Sequence, residues 1–162
     1  MNRKNLTAAV LAGLAGVAGI AGTAQAVNMN PDGLGQVLIY PYYTANDGNQ
    51  TILSVVNTTD QAKAVKVRFL EGFNSREVLD FNLYMSEYDV WVASISEFDG
   101  PTTGDSRAML TIPDTSCTVP YLYDYEMGYG KQEFLTLAYT GDFDDDGPQS
   151  SARTMEGHFE MI

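Results

Sequence analysis

Apolar and polar residues alternate along most of this chain with a period of two, which is the period of a β-strand that has one face in a core. Segment 64–69 places two valines and a phenylalanine on one face and two basic residues on the other. Segment 78–84 places Leu79, Phe81 and Leu83 together on one face, with polar residues between them. Because no window has the period of a long amphipathic helix, we predict an all-β fold.

Short strands separated by turn residues are typical of β-sandwiches and barrels. Turn-forming Asn, Asp, Gly and Pro residues separate the alternating segments of this chain. We therefore predict an immunoglobulin-like antiparallel β-sandwich with Trp91 in its core. The predicted strands are Gln36–Tyr43, Gln50–Asn57, Ala64–Phe69, Val78–Tyr84, Asp89–Ile95, Ala108–Ile112, Val119–Tyr125, Glu133–Thr140 and Gly157–Ile162.

Two details of this sandwich are predicted from local sequence. A short polar segment, 58–60, separates segments 50–57 and 64–69, which predicts that these two strands form a hairpin. Pro41 lies inside the first predicted strand and has no backbone N–H to donate. That strand is therefore predicted to lie at a sheet edge or to bend at Pro41.

The N-terminus has the layout of a secretory signal peptide. A basic start at 1–5 precedes an uncharged apolar run at 6–20, and an Ala-Gln-Ala cleavage signal follows at 24–26. We predict a cleavable signal peptide over 1–26 and a β-sandwich domain over 27–162. The alternative is an uncleaved anchor, but the apolar run is shorter than the roughly 20 residues of a membrane span. We expect an exported protein, located in the periplasm, at the cell surface or outside the cell.

The charge of the chain limits its partners. The formal net charge is −12, and the loss of Arg3 and Lys4 with the signal peptide brings the mature chain to about −14. Such a charge repels nucleic acid, so no nucleic-acid partner is expected. No second apolar segment of spanning length occurs, so no transmembrane span is expected in the mature chain. An outer-membrane β-barrel is a lower alternative, because its strands need about 9–11 residues and most predicted strands are shorter.

Cys117 is the only cysteine of a chain that is predicted to be exported, where thiols usually pair. Three interpretations are open: a buried free thiol, a bond between chains, or a partner in a missing region. We favour the third, because segment 157–162 alternates like a strand and no closing turn follows it. The chain is therefore predicted to be the N-terminal part of a longer protein.

Two segments carry a resemblance to known proteins. GLGQVLIYPYYT at 33–44 and NSREVLDFNLYMSEYDVW at 74–91 resemble the N-terminal domain of a family of uncharacterised exported or cell-surface β-sandwich proteins of Gram-negative bacteria. Members of this family have a signal peptide, a β-rich opening and a longer downstream region. The resemblance implies export and the fold. It assigns no catalytic residue, because no enzymatic activity is established for the group.

An acidic segment, 142–147, reads D-x-D-x-D-G and is the sharpest candidate for a metal site. Asp142, Asp144 and Asp146 would supply carboxylate oxygens to Ca²⁺, and the glycine would permit a tight turn. The pattern departs from a calcium-binding loop at its twelfth position, where Arg153 replaces the expected Glu. We predict a structural Ca²⁺ site here, and the alternative is a solvated acidic turn.

Tyrosines supply the other candidate site. Tyr121, Tyr123 and Tyr125 alternate, which predicts that they lie on one face of a strand, where they could stack on sugars or anchor a protein. The only histidine, His158, has no candidate triad or zinc partners near it in sequence, so no catalytic or cofactor-binding residue is predicted.

These observations favour a non-catalytic structural or adhesive domain at the cell surface or in the extracellular matrix, with other surface proteins or glycans as partners. The first alternative is a carbohydrate- or ligand-binding module that uses the surface tyrosines. A hydrolase that uses paired carboxylates is the lower alternative, because the 21 acidic residues offer many pairs and none is distinctive.

Overall fold

The computed structural model describes residues 30–100 and 104–162. Strands make up 49 % of the described residues and helical turns 11 %, so the predicted all-β fold is confirmed. The β-domain occupies residues 35–162. In the two described ranges no helix is long and apolar enough to cross a membrane. The predicted signal peptide falls outside the described residues.

The domain consists of two five-stranded antiparallel sheets. Sheet A has the strand order β1-β10-β3-β4-β7, and sheet B has the order β2-β5-β6-β9-β8. The described strands are β1 (Leu38–Thr44), β2 (Thr51–Val56), β3 (Lys63–Glu71), β4 (Glu77–Met85), β5 (Val90–Asp99), β6 (Ser106–Ile112), β7 (Cys117–Val119), β8 (Tyr123–Asp124), β9 (Tyr129–Glu133) and β10 (Glu156–Met161). Short 3₁₀ turns lie at Asn46–Gly48, Leu137–Tyr139, Gly141–Phe143 and Ser151–Met155.

The core lies between the two sheets. Phe81 of β4 and Trp91 of β5 are fully buried and their ring centroids lie 5.9 Å apart, so the sheets pack face to face. Leu79 and Leu83, which flank Phe81 on the same face of β4, are buried too, as their alternation predicts. Truncation of such a side chain to alanine costs about 3–5 kcal/mol, so this face holds the two sheets together.

The last strand, β10, is an interior strand of sheet A. β10 lies between β1 and β3, and its register places Phe159 opposite Phe69 of β3. A β-carbon on Gly157 would collide with the backbone carbonyl of Leu70, so a glycine allows β10 to begin this close to β3. Segment 157–162, which alternates in sequence, thus forms an interior strand of the sheet.

β1 behaves as Pro41 predicts. It is an edge strand of sheet A, and its register with β10 shifts between Tyr40 and Tyr43. Proline is tolerated at an edge because the missing N–H removes no ladder bond to a second neighbour. The shift turns the Tyr43 side chain fully into the core.

The predicted hairpin between segments 50–57 and 64–69 is wrong. β2 pairs with β5 in sheet B, and β3 pairs with β4 in sheet A. The buried Asn57 accounts for the difference, because its side-chain amide donates to the carbonyl oxygens of Gln61 and Ser86, both at 2.7 Å. This asparagine holds the connection as the chain leaves sheet B, and no hairpin turn forms.

Two predicted strands are also wrong in part. Segment 119–125 breaks after β7, so that β7 joins sheet A and β8 joins sheet B. Segment 133–140 is a strand only at its start, where β9 ends at Glu133. Beyond it, the backbone N–H of Leu135 donates to the Val78 carbonyl of β4 at 2.7 Å. Packing against β4 therefore replaces a continued strand.

Candidate functional site

The three predicted tyrosines come together, although not on one strand. Only Tyr123 lies in a strand, β8, while Tyr121 precedes that strand and Tyr125 follows it. The ring centroids of Tyr121 and Tyr125 lie 6.2 Å apart in a stacked arrangement, and those of Tyr123 and Tyr125 lie 5.2 Å apart, edge to face. These three residues are called the tyrosine cluster below.

The tyrosine cluster faces solvent. Tyr121 is 52 % exposed and Tyr125 75 % exposed, while Tyr123 is half-buried. A hydrogen bond with Tyr125 raises the pKa of Tyr121 to about 12. The Tyr121 phenol is therefore protonated at neutral pH and presents an uncharged hydrogen-bonding group next to flat apolar rings.

A tight turn holds the tyrosine cluster in place. The Asp124 side chain accepts the backbone N–H groups of Glu126 at 2.8 Å and Met127 at 3.2 Å. The N–H of Gly128 donates to the Asp124 carbonyl at 2.9 Å, and this glycine has a φ of 77°, which a residue with a β-carbon rarely adopts. The turn between β8 and β9 thus positions Tyr125 against its two neighbours.

Two concave regions lie along the segment that carries the cluster. A cavity of about 510 Å³ is lined by the tyrosine cluster together with Asp124, Glu126, Met127 and Lys131. A second, apolar groove of about 580 Å³ is lined by residues that include Val78, Pro120, Leu135, Leu137 and Phe143. Leu122 lines both, so the two regions are neighbours. Both volumes fall in the range of small-ligand sites.

Sequence reasoning missed the apolar groove because it treated 133–140 as a strand. Phe134 and Tyr139 are both fully buried, yet they are five positions apart, and such residues face opposite sides of a regular strand. The signal available in the sequence is the adjacent apolar pair Phe134 and Leu135, which interrupts a period of two. The loop instead exposes Leu135, Leu137 and Phe143 along the groove.

The three predicted calcium ligands do not meet around one point. Within the described ranges, no group of three or more His, Cys, Asp or Glu side chains is placed to hold a metal ion. Asp144 instead accepts the N–H of Asp146 at 3.0 Å and the side-chain amide of Gln149 at 2.5 Å. Asp142 lies exposed in a 3₁₀ turn. The Ca²⁺ site stays a prediction.

Asp145, which the calcium pattern skips, is the inward-facing carboxylate of this loop. Both of its oxygens accept from the Arg153 guanidinium, at 2.9 Å and 2.6 Å. Arg153 also donates to both oxygens of Glu71, at 2.9 Å and 3.0 Å. All three side chains are nearly or fully buried, and we call them the buried ionic network.

Glu71 ties the buried ionic network to the turn between β3 and β4. Its carboxylate accepts the backbone N–H groups of Phe73, Asn74 and Arg76 at 2.6, 3.2 and 2.8 Å. Burial alone would raise the pKa of Glu71, but hydrogen bonds from Arg153 and from these N–H groups outweigh it and lower the pKa.

The other carboxylate of the network is also held in its charged form. Hydrogen bonds from Arg153 keep the pKa of Asp145 well below its usual range. The guanidinium itself is covered by aromatic rings, because its central carbon lies 4.2 Å from the Tyr139 ring centroid and 4.8 Å from that of Phe73. This arrangement leaves neither carboxylate free to exchange protons with a substrate.

The structure also gives the positions of the single cysteine and the single histidine. Cys117 is a free and exposed thiol in β7, so the interpretation as a buried thiol is wrong. His158 lies in β10 opposite Leu70, half-buried. Neither residue lines the tyrosine cavity or the apolar groove.

Comparisons with protein-family models, with curated proteins and with solved structures find no match to this chain. The resemblance to exported proteins therefore stays a prediction.

Proposed function

We propose that this chain is a non-catalytic, exported structural or adhesive domain that acts at the cell surface or in the extracellular matrix. The observation that carries the proposal is the exposed tyrosine cluster, which lines one concave region next to a second, apolar one. The N-terminal pattern of a signal peptide supports export.

Tyrosines in such a position suit contact with a partner. An aromatic ring supplies a large apolar area with few rotatable bonds, and its hydroxyl can remain hydrogen-bonded in a wet interface. Interface residues that dominate affinity are enriched in tyrosine and cluster beside pockets. In a chain of net charge −12, Tyr121 and Tyr125 offer an apolar contact that adds no further negative charge.

Adhesion of the purified protein to whole cells and to matrix material tests this proposal. The variant is Tyr121→Ala with Tyr125→Ala, which removes the two exposed rings and leaves the half-buried Tyr123. The matched control is Tyr42→Ala, an exposed tyrosine on β1, at the opposite edge of sheet A from β7. We expect the double variant to bind at least about tenfold more weakly and the control to bind like the parent. Equal binding by all three proteins would contradict the proposal.

A carbohydrate-binding module is the second candidate function. The observation that favours it is the cavity beside the tyrosine cluster, where the acidic side chain of Glu126 and the basic side chain of Lys131 lie next to aromatic rings. Sugars present apolar C–H faces that stack on such rings and hydroxyls that bond to charged groups. A glycan screen with the same two variants separates this function from adhesion to proteins.

A carboxylate-based hydrolase is the lower alternative, and a broad hydrolase screen tests it. The two most buried carboxylates of the described residues, Glu71 and Asp145, are both held by Arg153, which does not suit proton transfer.

We also propose that this β-sandwich is of an immunoglobulin-like type. In an immunoglobulin constant domain the first, second, fifth and fourth strands share one sheet. Here β1 and β2 belong to different sheets. The likeness that we propose is therefore limited to two antiparallel sheets over a common core.

A further inference from the structure

The strands at the four sheet edges differ in how well they are protected against pairing with another chain. Proteins blunt such edges with prolines, bulges, charges or very short strands. Among the described strands, β7 has three residues, β8 has two, and β1 contains Pro41 and a register shift. β2 (TILSVV) has six residues, no charge, no proline and an unbroken register with β5. β2 is the unprotected edge.

The backbone of β2 presents free hydrogen-bonding groups at this edge. In an antiparallel pair, alternate residues bond to the neighbouring strand. The N–H of Asn57 donates to the Asp89 carbonyl at 2.9 Å, which continues the β2–β5 ladder by one residue. The residues that alternate with Asn57, namely Ile52, Ser54 and Val56, therefore direct their N–H and C=O groups away from β5.

The side chains of these three residues lie on the outer face of sheet B. Ile52 is 76 % exposed, Val56 is 50 % exposed, and Ser54 is exposed between them. Register places Val90, Val92 and Ser94 of β5 beside them, and none of these residues is charged. This half of the outer face is free of acidic groups in a chain that carries 21 of them.

We propose that β2 pairs antiparallel with β2 of a second copy of this chain, about a twofold axis at Ser54. Ser54 then lies opposite the partner's Ser54, and Ile52 lies opposite the partner's Val56. All of these residues have outward backbone groups, so every opposed pair exchanges two hydrogen bonds. The occupant is a second copy because an uncharged edge is where two chains of charge −12 can meet without bringing acids together.

The register of this pairing is determined by the side chains. A shift of one residue would place Ile52 opposite Val55, whose backbone groups point towards Trp91 of β5, so the opposed residues could not exchange hydrogen bonds and their side chains would no longer match. Pairing about Ser54 instead matches two exposed apolar residues across the axis. A single strand pair buries less than a stable dimer interface of about 1,200–2,000 Å², so the dimer is expected to dissociate on dilution.

Sedimentation velocity over a concentration series tests the dimer, on protein purified after expression of the full chain. The buffer contains a reductant, because Cys117 is exposed and could join two chains through a disulfide. We expect the parent mass to double with concentration. Ser54→Lys places two like charges at the axis and should raise the dissociation constant at least about tenfold.

The matched control is Ser94→Lys, which adds the same charge to the same outer face but one strand inside the edge. Edge pairing predicts that this control dimerises like the parent. A parent that stays monomeric throughout, or a control weakened as much as Ser54→Lys, would overturn the proposal; the second result would indicate face-to-face packing. Circular dichroism melting of both variants verifies that they are folded.

A cross-linking experiment tests the register directly in a Cys117→Ser background. Two cysteines from Ser54→Cys would have α-carbons about 5.5 Å apart in the dimer, within the range that a disulfide spans. Two cysteines from Ile52→Cys would lie roughly 13 Å apart along the strands. We expect mild oxidation to cross-link the first variant and not the second. Equal cross-linking of the two, or none in the first, would contradict pairing about Ser54.

Discussion

Three arginines in the described ranges, Arg68, Arg107 and Arg153, each bridge two carboxylates, and Arg153 is the most buried of them and Arg68 the most exposed. Arg153 does so in the buried ionic network, with a side chain that is 3 % exposed. Arg68 donates to Glu77 and to Glu160, both at 2.7 Å, on the outer face of sheet A, with a side chain that is 36 % exposed. Arg153 makes two hydrogen bonds to each of its carboxylates, while Arg68 makes one to each, and the surroundings of the two bridges differ as well.

The difference in burial determines what each arginine does for the fold. Arg68 joins β3, β4 and β10, which backbone ladders already hold side by side. Arg153 joins the end of β3 to the acidic loop around Asp145, which belongs to no sheet. Removal of Arg68 would leave its carboxylates in water. Removal of Arg153 would leave the buried Glu71 without a counterion and the buried Asp145 with only Arg76, at 3.5 Å, which is far more costly.

The largest expected effect is therefore that of Arg153→Met. Loss of one partner from a buried ion pair typically costs about 3–5 kcal/mol, and methionine keeps most of the apolar contact area. We expect the free energy of unfolding, measured by urea denaturation, to fall by about this amount. A loss below about 1 kcal/mol would show that water reaches the network and that its burial is not decisive.

The next largest expected effect is a loss of folding stability at acidic pH. The pKa values of Glu71 and Asp145 are lowered in the folded state. Groups with lowered folded pKa values contribute stability that is present above the unfolded carboxyl pKa of about 4 and is lost as the pH falls through the folded values. We expect the free energy of unfolding to decrease steadily as the pH falls below about 4.

The Arg153→Met variant separates this contribution from that of the other acidic residues. Without the arginine, only the backbone N–H groups of the turn oppose the effect of burial, so the pKa of Glu71 is higher than in the parent. The variant should therefore lose less stability than the parent over the same pH range. Parallel pH profiles for the two proteins would assign the acid sensitivity to surface carboxylates instead.

The strand faces were predictable, while the site depended on tertiary packing. Alternation in segment 78–84 identified the buried face of β4, because every second side chain of a strand points to the same face of the sheet. Glu71 and Arg153 are 82 residues apart, and no local pattern links them. The calcium pattern selected alternate aspartates and passed over Asp145, whose role depends on where Arg153 lies. The three tyrosines were selected by their alternation, which predicted one strand face, but the geometry of the tyrosine cluster depends on the turn after β8.

Thermal melting with added calcium tests whether the exposed side of the acidic loop binds a cation. If Asp142, Asp144 and Asp146 bind Ca²⁺, the folded state should gain about 2.7 kcal/mol at 100 times the dissociation constant. Mg²⁺ should have a smaller effect, because it gives up its waters reluctantly. Thermal melting with Ca²⁺, Mg²⁺ and NaCl of equal ionic strength measures this. Equal shifts with all three salts would identify general screening of the acidic charge.

The control for the calcium experiment is a double variant, Asp144→Asn with Asp146→Asn. Both side chains are exposed and make no contact with the buried ionic network, so the fold should survive. A calcium response that is unchanged in this variant would leave the loop as a solvated turn that Asp145 anchors from the inside.

The smallest expected effect is that of Arg68→Met, the surface counterpart of the first variant. An exposed ion pair typically contributes about 0.2–1 kcal/mol, because water already solvates both partners and the side chains lose rotational freedom. We expect urea denaturation to show a loss in this range that shrinks further in about 1 M NaCl, where the screening length is about 3 Å. Salt should change the effect of Arg153→Met much less, because ions do not enter the buried network. A loss of about 3 kcal/mol for Arg68→Met would break the comparison, since it would make the surface bridge as important as the buried one.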